Sequence, residues 1–151
     1  MILDNNLVFL DGAALNETVT SEPVALNSLF RPGTGHGHIP LVILLTEAAE
    51  GGDSLELKLE EADSADGGFS EVATLSVPAA ELAPGVSGAP GASGARIGWR
   101  HLPHGVTRGW LRLTVTPSGS FSAGKIFAAL TREDEQPWSG GMFINAGKVV
   151  G

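Results

Sequence analysis

The segment "SLELKLEE" places Leu55, Leu57 and Leu59 in strict alternation with Glu56, Lys58 and Glu60. A period of two predicts a strand with one face in a core and the other in water. "GWLRLTVT" repeats the pattern, with Leu111, Leu113 and Val115 on one face and Trp110, Arg112, Thr114 and Thr116 on the other. "IPLVILLTE", from Ile39 to Glu47, behaves differently. Its apolar run has no alternation, which predicts a strand buried on both faces. "FSEVATLSV" (69–77) and "AGKIFAAL" (123–130) supply two more strands, and Leu7 to Leu10 forms a short run that "DG" is expected to stop. "ALNETVTSEPVAL" reads as one or two edge strands around Pro23, and "RIGW" (96–99) as the restart of a strand. "PAAELAPG" predicts a single helical turn, while "FRPGTGHGH" and "GVSGAPGASG" are glycine-rich loops.

This count gives about eight antiparallel strands in one domain. The 151-residue length suits a single core, and 21 Gly with 9 Pro suit a chain of many turns. The expected fold is all-β: a two-sheet sandwich, with a jelly roll as the leading topology and an immunoglobulin-like sandwich as the alternative. The chain lacks cysteine, so the sandwich must hold by packing alone and has no Cys-based zinc site. Residues 1–131 form the expected body. Residues 132–151 carry Trp138, Met142, Phe143 and Ile144 among glycines without strand-length alternation, and read as an extended C-terminal arm. Such an arm covers either its own fold or a neighbour, and its aromatic and Met content favours an interface.

The formal net charge is −8, and nine basic residues are scattered along the chain, which argues against direct nucleic-acid binding. "MILDNNLVFLDG" lacks the basic and long apolar regions of a signal peptide. "IPLVILL" falls far short of the ~20 residues that span a bilayer. A soluble protein made in the cytoplasm, with no membrane partner, is the expectation.

Candidate chemistry is sparse. His36 and His38 form a His-x-His pair like that of the cupin metal enzymes, but the next carboxylate, Glu47, comes only after a full apolar strand. His101 and His104 lie in a Pro-containing turn. No Gly-x-Ser-x-Gly elbow occurs, and no glycine-rich loop links a strand to a helix that could hold phosphate. The acidic pairs at Glu60–Glu61 and Glu133–Glu135 read as solvated faces. Trp99 and Trp110 flank the histidine turn and offer a platform for a sugar ring; the alternative places one in the core and the other over a sheet edge. No catalytic residue, metal ligand or cofactor is assigned. The stretch "RHLPHGVTRGWLRLTVT" reads as architecture, with Pro103 and Gly105 forming a turn and Arg100, Arg108 and Arg112 placed to pair with acidic neighbours.

Four blocks, "MILDNNLVFLDGAAL", "IPLVILLTEA", "RHLPHGVTRGWLRLTVTPSG" and "SAGKIFAAL", resemble in order and spacing the Bbp16-like capsid cement (decoration) proteins of tailed bacteriophages. That resemblance covers residues 1–131 and departs from the family at the 85–94 loop and after Leu130. It implies a non-enzymatic jelly roll on the outer surface of the virion capsid. The implied partners are the major capsid protein and further copies of the chain, as a homodimer or trimer. Phe30, Arg31, Arg108, Trp110, Trp138, Met142, Phe143 and Ile144 are the candidate interface residues. The competing readings are a carbohydrate-binding module, another virion surface or fibre component, and, behind them, a cupin-like metal enzyme.

Overall fold

A computed structural model describes residues 5–26, 39–82 and 96–131. In it the two alternating runs become neighbouring strands, β5 (Ser54–Ala62) and β7 (Trp110–Ser118), paired antiparallel with Leu57 opposite Val115 and Leu59 opposite Leu113. Directly opposed residues point to the same face. The register therefore gathers Leu55, Leu57, Leu59, Leu111, Leu113 and Val115 into one apolar layer, none more than 1% exposed. Each such side chain contributes about 2 kcal/mol when removed from water. β6 (Ser70–Pro78) pairs with the free side of β5. Two short strands, β2 (Val19–Thr20) and β3 (Val24–Ala25), pair with the other side of β7 and complete a five-stranded sheet.

The break between β2 and β3 follows from local chemistry. Pro23 has no N–H for a ladder, and the chain spends four steps from Thr20 to Val24 where β7 spends three from Thr114 to Leu111. Ser21 bridges the gap. Its amide donates to the Leu113 carbonyl at 2.8 Å, and its hydroxyl accepts the Leu113 amide at 2.9 Å.

The second sheet has three strands in the order β1 (Val8–Ala14), β8 (Phe121–Leu130), β4 (Leu41–Gly51). Leu41, Ile43 and Leu45 of β4, with Ile126, Ala128 and Leu130 of β8, close over the first layer as the other half of the core. The two sheets share one ribbon. β4 pairs with β8 in the small sheet, and β5 pairs with β7 in the large one. Where β4 runs into β5 and β7 into β8, Gly52 N donates to Ser120 O at 2.9 Å and Asp53 N to Ser118 O at 2.7 Å. A single antiparallel ribbon thus bends across the core and lines both sides of it. The helical turn expected after β6 is α1 (Ala79–Leu82), which buries Leu82.

Two expectations are corrected. "DG" does not stop the first strand: β1 runs through Asp11 and Gly12, and its register against β8 shifts between Asp11 and Ala13. Gly12 takes φ 75°, the left-handed conformation of a glycine bulge, so the ladder kinks and resumes. "RIGW" is not a regular strand either. Residues 96–102 follow the edge of β4 through Ile97 N→Ile43 O (2.9 Å), Leu41 N→Arg100 O (3.0 Å) and Leu102 N→Ile39 O (2.8 Å). Gly98, at φ 67°, breaks the extended conformation between them, and a Cβ there would lie 2.6 Å from Leu57 Cδ1.

Candidate functional site

The stretch from Arg100 to Thr116 is held in place by two carboxylates on β5. Glu61 continues the inward period of Leu55, Leu57 and Leu59 and is 8% exposed. Its carboxylate accepts Thr107 N at 2.8 Å, Arg108 N at 3.1 Å and the Thr107 hydroxyl at 3.2 Å. Those bonds satisfy the carboxylate and anchor the loop that leads into β7. On the other face, Glu60 takes Arg112 Nε at 2.8 Å and Nη2 at 3.3 Å in a two-pronged pair. The Arg112 guanidinium also stacks 4.3 Å from the centre of the Phe69 ring. The hydrogen bonds from Arg112 hold the Glu60 carboxyl below its ordinary range, against the opposing effect of burial, and Glu60 in turn raises Arg112.

Glu60 and Glu61 are therefore not the solvated pair that the sequence suggested; one is buried and the other is clasped. A signal was present, since an inward-period Glu at the end of a strand needs donors close by.

Of the candidate interface residues, two fall among the described ones. Arg108 is partly exposed and approaches Asp63 at 3.9 Å. Trp110 is half-buried at the start of β7, opposite Ala25 and Ala62, and by alternation with Leu111 projects from the side of the sheet away from the core. Phe30, Arg31, Trp138, Met142, Phe143 and Ile144 lie outside the described residues, as do His36 and His38. Trp99 packs against the core. His104 is exposed in the turn that Gly105 closes at φ 104°, and His101 bridges to Pro40.

Among the described residues, no group of three or more His, Asp and Glu side chains is placed to hold a metal ion. No described helix is long and apolar enough to cross a membrane. At the start of β8 a cleft of about 130 Å³ is lined by Asn16, Phe121 and the Glu47–Lys125 pair, whose charged atoms are 3.6 Å apart. Sites for small organic ligands usually run to about 300 Å³ or more.

A surface with more to offer is the outer face of the three-stranded sheet. Since Leu41, Ile43 and Leu45 point into the core, Val42 and Leu44 point away from it. Their partners Ala129 and Phe127 point the same way, and Val8 joins them opposite Ala129. Val42 is 2% exposed, Leu44 5% and Ala129 0%, although they stand outside the central core cluster. Further along the same face the character changes to Asp11, Glu47 and Lys125, all exposed. One half of this face is apolar and covered; the other is charged and wet.

No protein-family model matches the chain, and no curated protein matches it.

Proposed function

We propose that the protein is a capsid cement protein of a tailed bacteriophage. It binds the outside of an icosahedral head and bridges neighbouring units of the major capsid protein. The observation that carries this reading is where the resembling blocks fall in the fold. "MILDNNLVFLDGAAL" contains β1, "IPLVILLTEA" most of β4, "RHLPHGVTRGWLRLTVTPSG" the Glu61-anchored loop and β7, and "SAGKIFAAL" β8. Together they comprise every strand of the small sheet and three of the four strands of the ribbon. The resemblance thus follows the structural frame rather than scattered surface positions. On this reading the ribbon is wound as a jelly roll.

Physical properties support the same role. A cement protein needs a stiff body that survives without disulfides, and here a continuous leucine core supplies the stiffness. Weak contacts suffice when a subunit bridges two capsomers, because the second contact forms at the high effective concentration set by the first. The net charge of −8 keeps free subunits apart and suits a location away from packaged DNA. A symmetric dimer on local two-fold axes is the favoured assembly, with a trimer as the alternative. Arg108 and Trp110 are the described candidates for contact.

The test mixes the purified protein with expanded heads and with unexpanded procapsids of the phage that encodes it, followed by electron microscopy. Added density on the outer surface of expanded heads alone is the expected result. Mature virions lacking the protein on their outer surface, or turnover of a compound by isolated subunits, would overturn the reading.

A further inference from the structure

Each sheet has two edges, and three of the four carry a feature that hinders further pairing. Residues 96–102 follow the outer side of β4. β2 and β3 are short and are interrupted at Pro23. β1 is kinked by the bulge at Gly12 and shows Asp11 to solvent. β6 is different. From Ala73 to Pro78 it runs in unbroken register against β5, and no charged residue stands between Val72 and Pro78. Among the described residues, no strand pairs with its other side.

The phase of the ladder shows which main-chain groups of β6 are left over. Ala79 N donates to Asp53 O at 2.8 Å. Carried along the register, this turns the amides and carbonyls of Ala73, Leu75 and Val77 toward β5. Those of Thr74 and Ser76 therefore point outward, and both residues are exposed. Leu75 lies opposite Leu57 on the core face, but at the rim of the sheet it is only half-buried.

We propose that a second copy of the chain pairs antiparallel with this edge, β6 to β6, about a two-fold axis at Leu75. In that register Thr74 faces the partner's Ser76, and each pair exchanges both main-chain hydrogen bonds. The two Leu75 side chains meet across the axis in the closer, non-hydrogen-bonded position. Ala73 falls opposite the partner's Val77, so the apolar row of one subunit continues into the next. Glu71 falls opposite the partner's Ala79, and no like charges oppose. Moving the axis to Thr74 would set Ser76 against Val72, which the register skips as a bulge. Moving it to Ser76 would set Thr74 against Pro78, which has no N–H to give. An unrelated strand would satisfy the same main-chain groups without the matched apolar row, so a second copy fits best. One strand pair buries less than the ~1,200 Å² of a stable complex, so the dimer is expected to dissociate on dilution. The proposal supplies a surface for the dimer of the capsid reading but does not rest on that reading, because it concerns the free protein.

The test uses the full-length chain in sedimentation from micromolar to millimolar concentration, where a shift from monomer to dimer is expected. The chain has no cysteine, so Leu75→Cys introduces a single thiol. The two-fold axis brings its Cα within about 4.5 Å of its mate, inside the range that a disulfide bridges. Mild oxidation should convert this variant to a covalent dimer faster than Thr20→Cys, an exposed position on the opposite edge of the same sheet that reports chance collision. Thr74→Pro removes an N–H that β5 does not use, and should abolish the dimer while the melting temperature holds. If that variant fails to fold, the cross-linking comparison decides alone. A monomer at every concentration, or equal cross-linking at both positions, overturns the proposal. So does a dimer that survives Thr74→Pro and leaves the Leu75→Cys thiol free. Expanded heads bound by a monomeric protein would overturn this pairing and leave the capsid reading standing; a cross-linking dimer that leaves heads bare would do the reverse.

Discussion

The two sheets solve the same packing problem with different sequence patterns. In the five-stranded sheet, the strand pair β5–β7 is apolar on one side and polar on the other. Leu57 and Leu113 face the core, while Glu60, Arg112 and Thr114 form a hydrogen-bonded cluster outside. In the three-stranded sheet, β4 is apolar on both sides from Leu41 to Leu45. The first sheet needs one covering layer, and the second needs two. A strand with two buried faces has no solvent side for its alternate residues, so a non-alternating run in sequence signals that more than the opposite sheet must pack against it.

The sharpest way to test the contrast is to truncate each kind of buried leucine. Leu57→Ala opens a cavity between the sheets, where the residue is fully buried against both halves of the ribbon. It is expected to cost about 4 kcal/mol in urea unfolding, a large share of what a domain of this size holds. Leu44→Ala, on the outer face, is expected to cost about 2–3 kcal/mol, because that residue too is covered. A loss below about 0.5 kcal/mol is what a solvated position gives, and would erase the distinction between the sheets.

Much of this was legible in the chain, and the reasons differ from place to place. The strands at 54–62 and 110–118 follow a period of two, which only an extended backbone with one buried face satisfies. The two-sided burial of β4 was visible in its unbroken run. Gly12 was misread because "DG" marks both turns and bulges, and the choice between them depends on a partner strand, β8, more than a hundred residues away. "RIGW" failed for a similar reason, as its apolar residues face the core while Gly98 breaks the ladder. Glu61 was grouped with Glu60 as a charged surface. Its partners at Thr107 and Arg108 are non-local, and pattern alone does not report what a loop brings back.

That loop gives a local counterpart to the cavity experiment. Glu61→Leu keeps the volume but leaves the Thr107 and Arg108 amides without their acceptor. A cost of about 2 kcal/mol is expected. Hydrogen exchange should accelerate at these two amides more than at the paired amides of β5 and β7. Uniform acceleration across β7 would instead mean that the carboxylate holds the sheet and not the loop.

The smallest effect belongs to the polar side of the same sheet, and its sign with pH is fixed. The Arg112 bonds hold the Glu60 carboxyl below its ordinary value in the folded chain. The unfolded chain therefore takes up a proton first as pH falls. The stabilisation is fully present above the unfolded carboxylate value and disappears as pH drops through the lowered folded one. Arg112 keeps its charge throughout this window, so Glu60 alone titrates there. Arg112→Gln should thus cost about 1 kcal/mol at neutral pH, the scale of a partly exposed pair. The gap from the parent chain should narrow toward pH 3 in parallel urea titrations. A gap that stays constant with pH would assign the loss to the stacking of Arg112 on Phe69, an interaction that protonating Glu60 leaves intact.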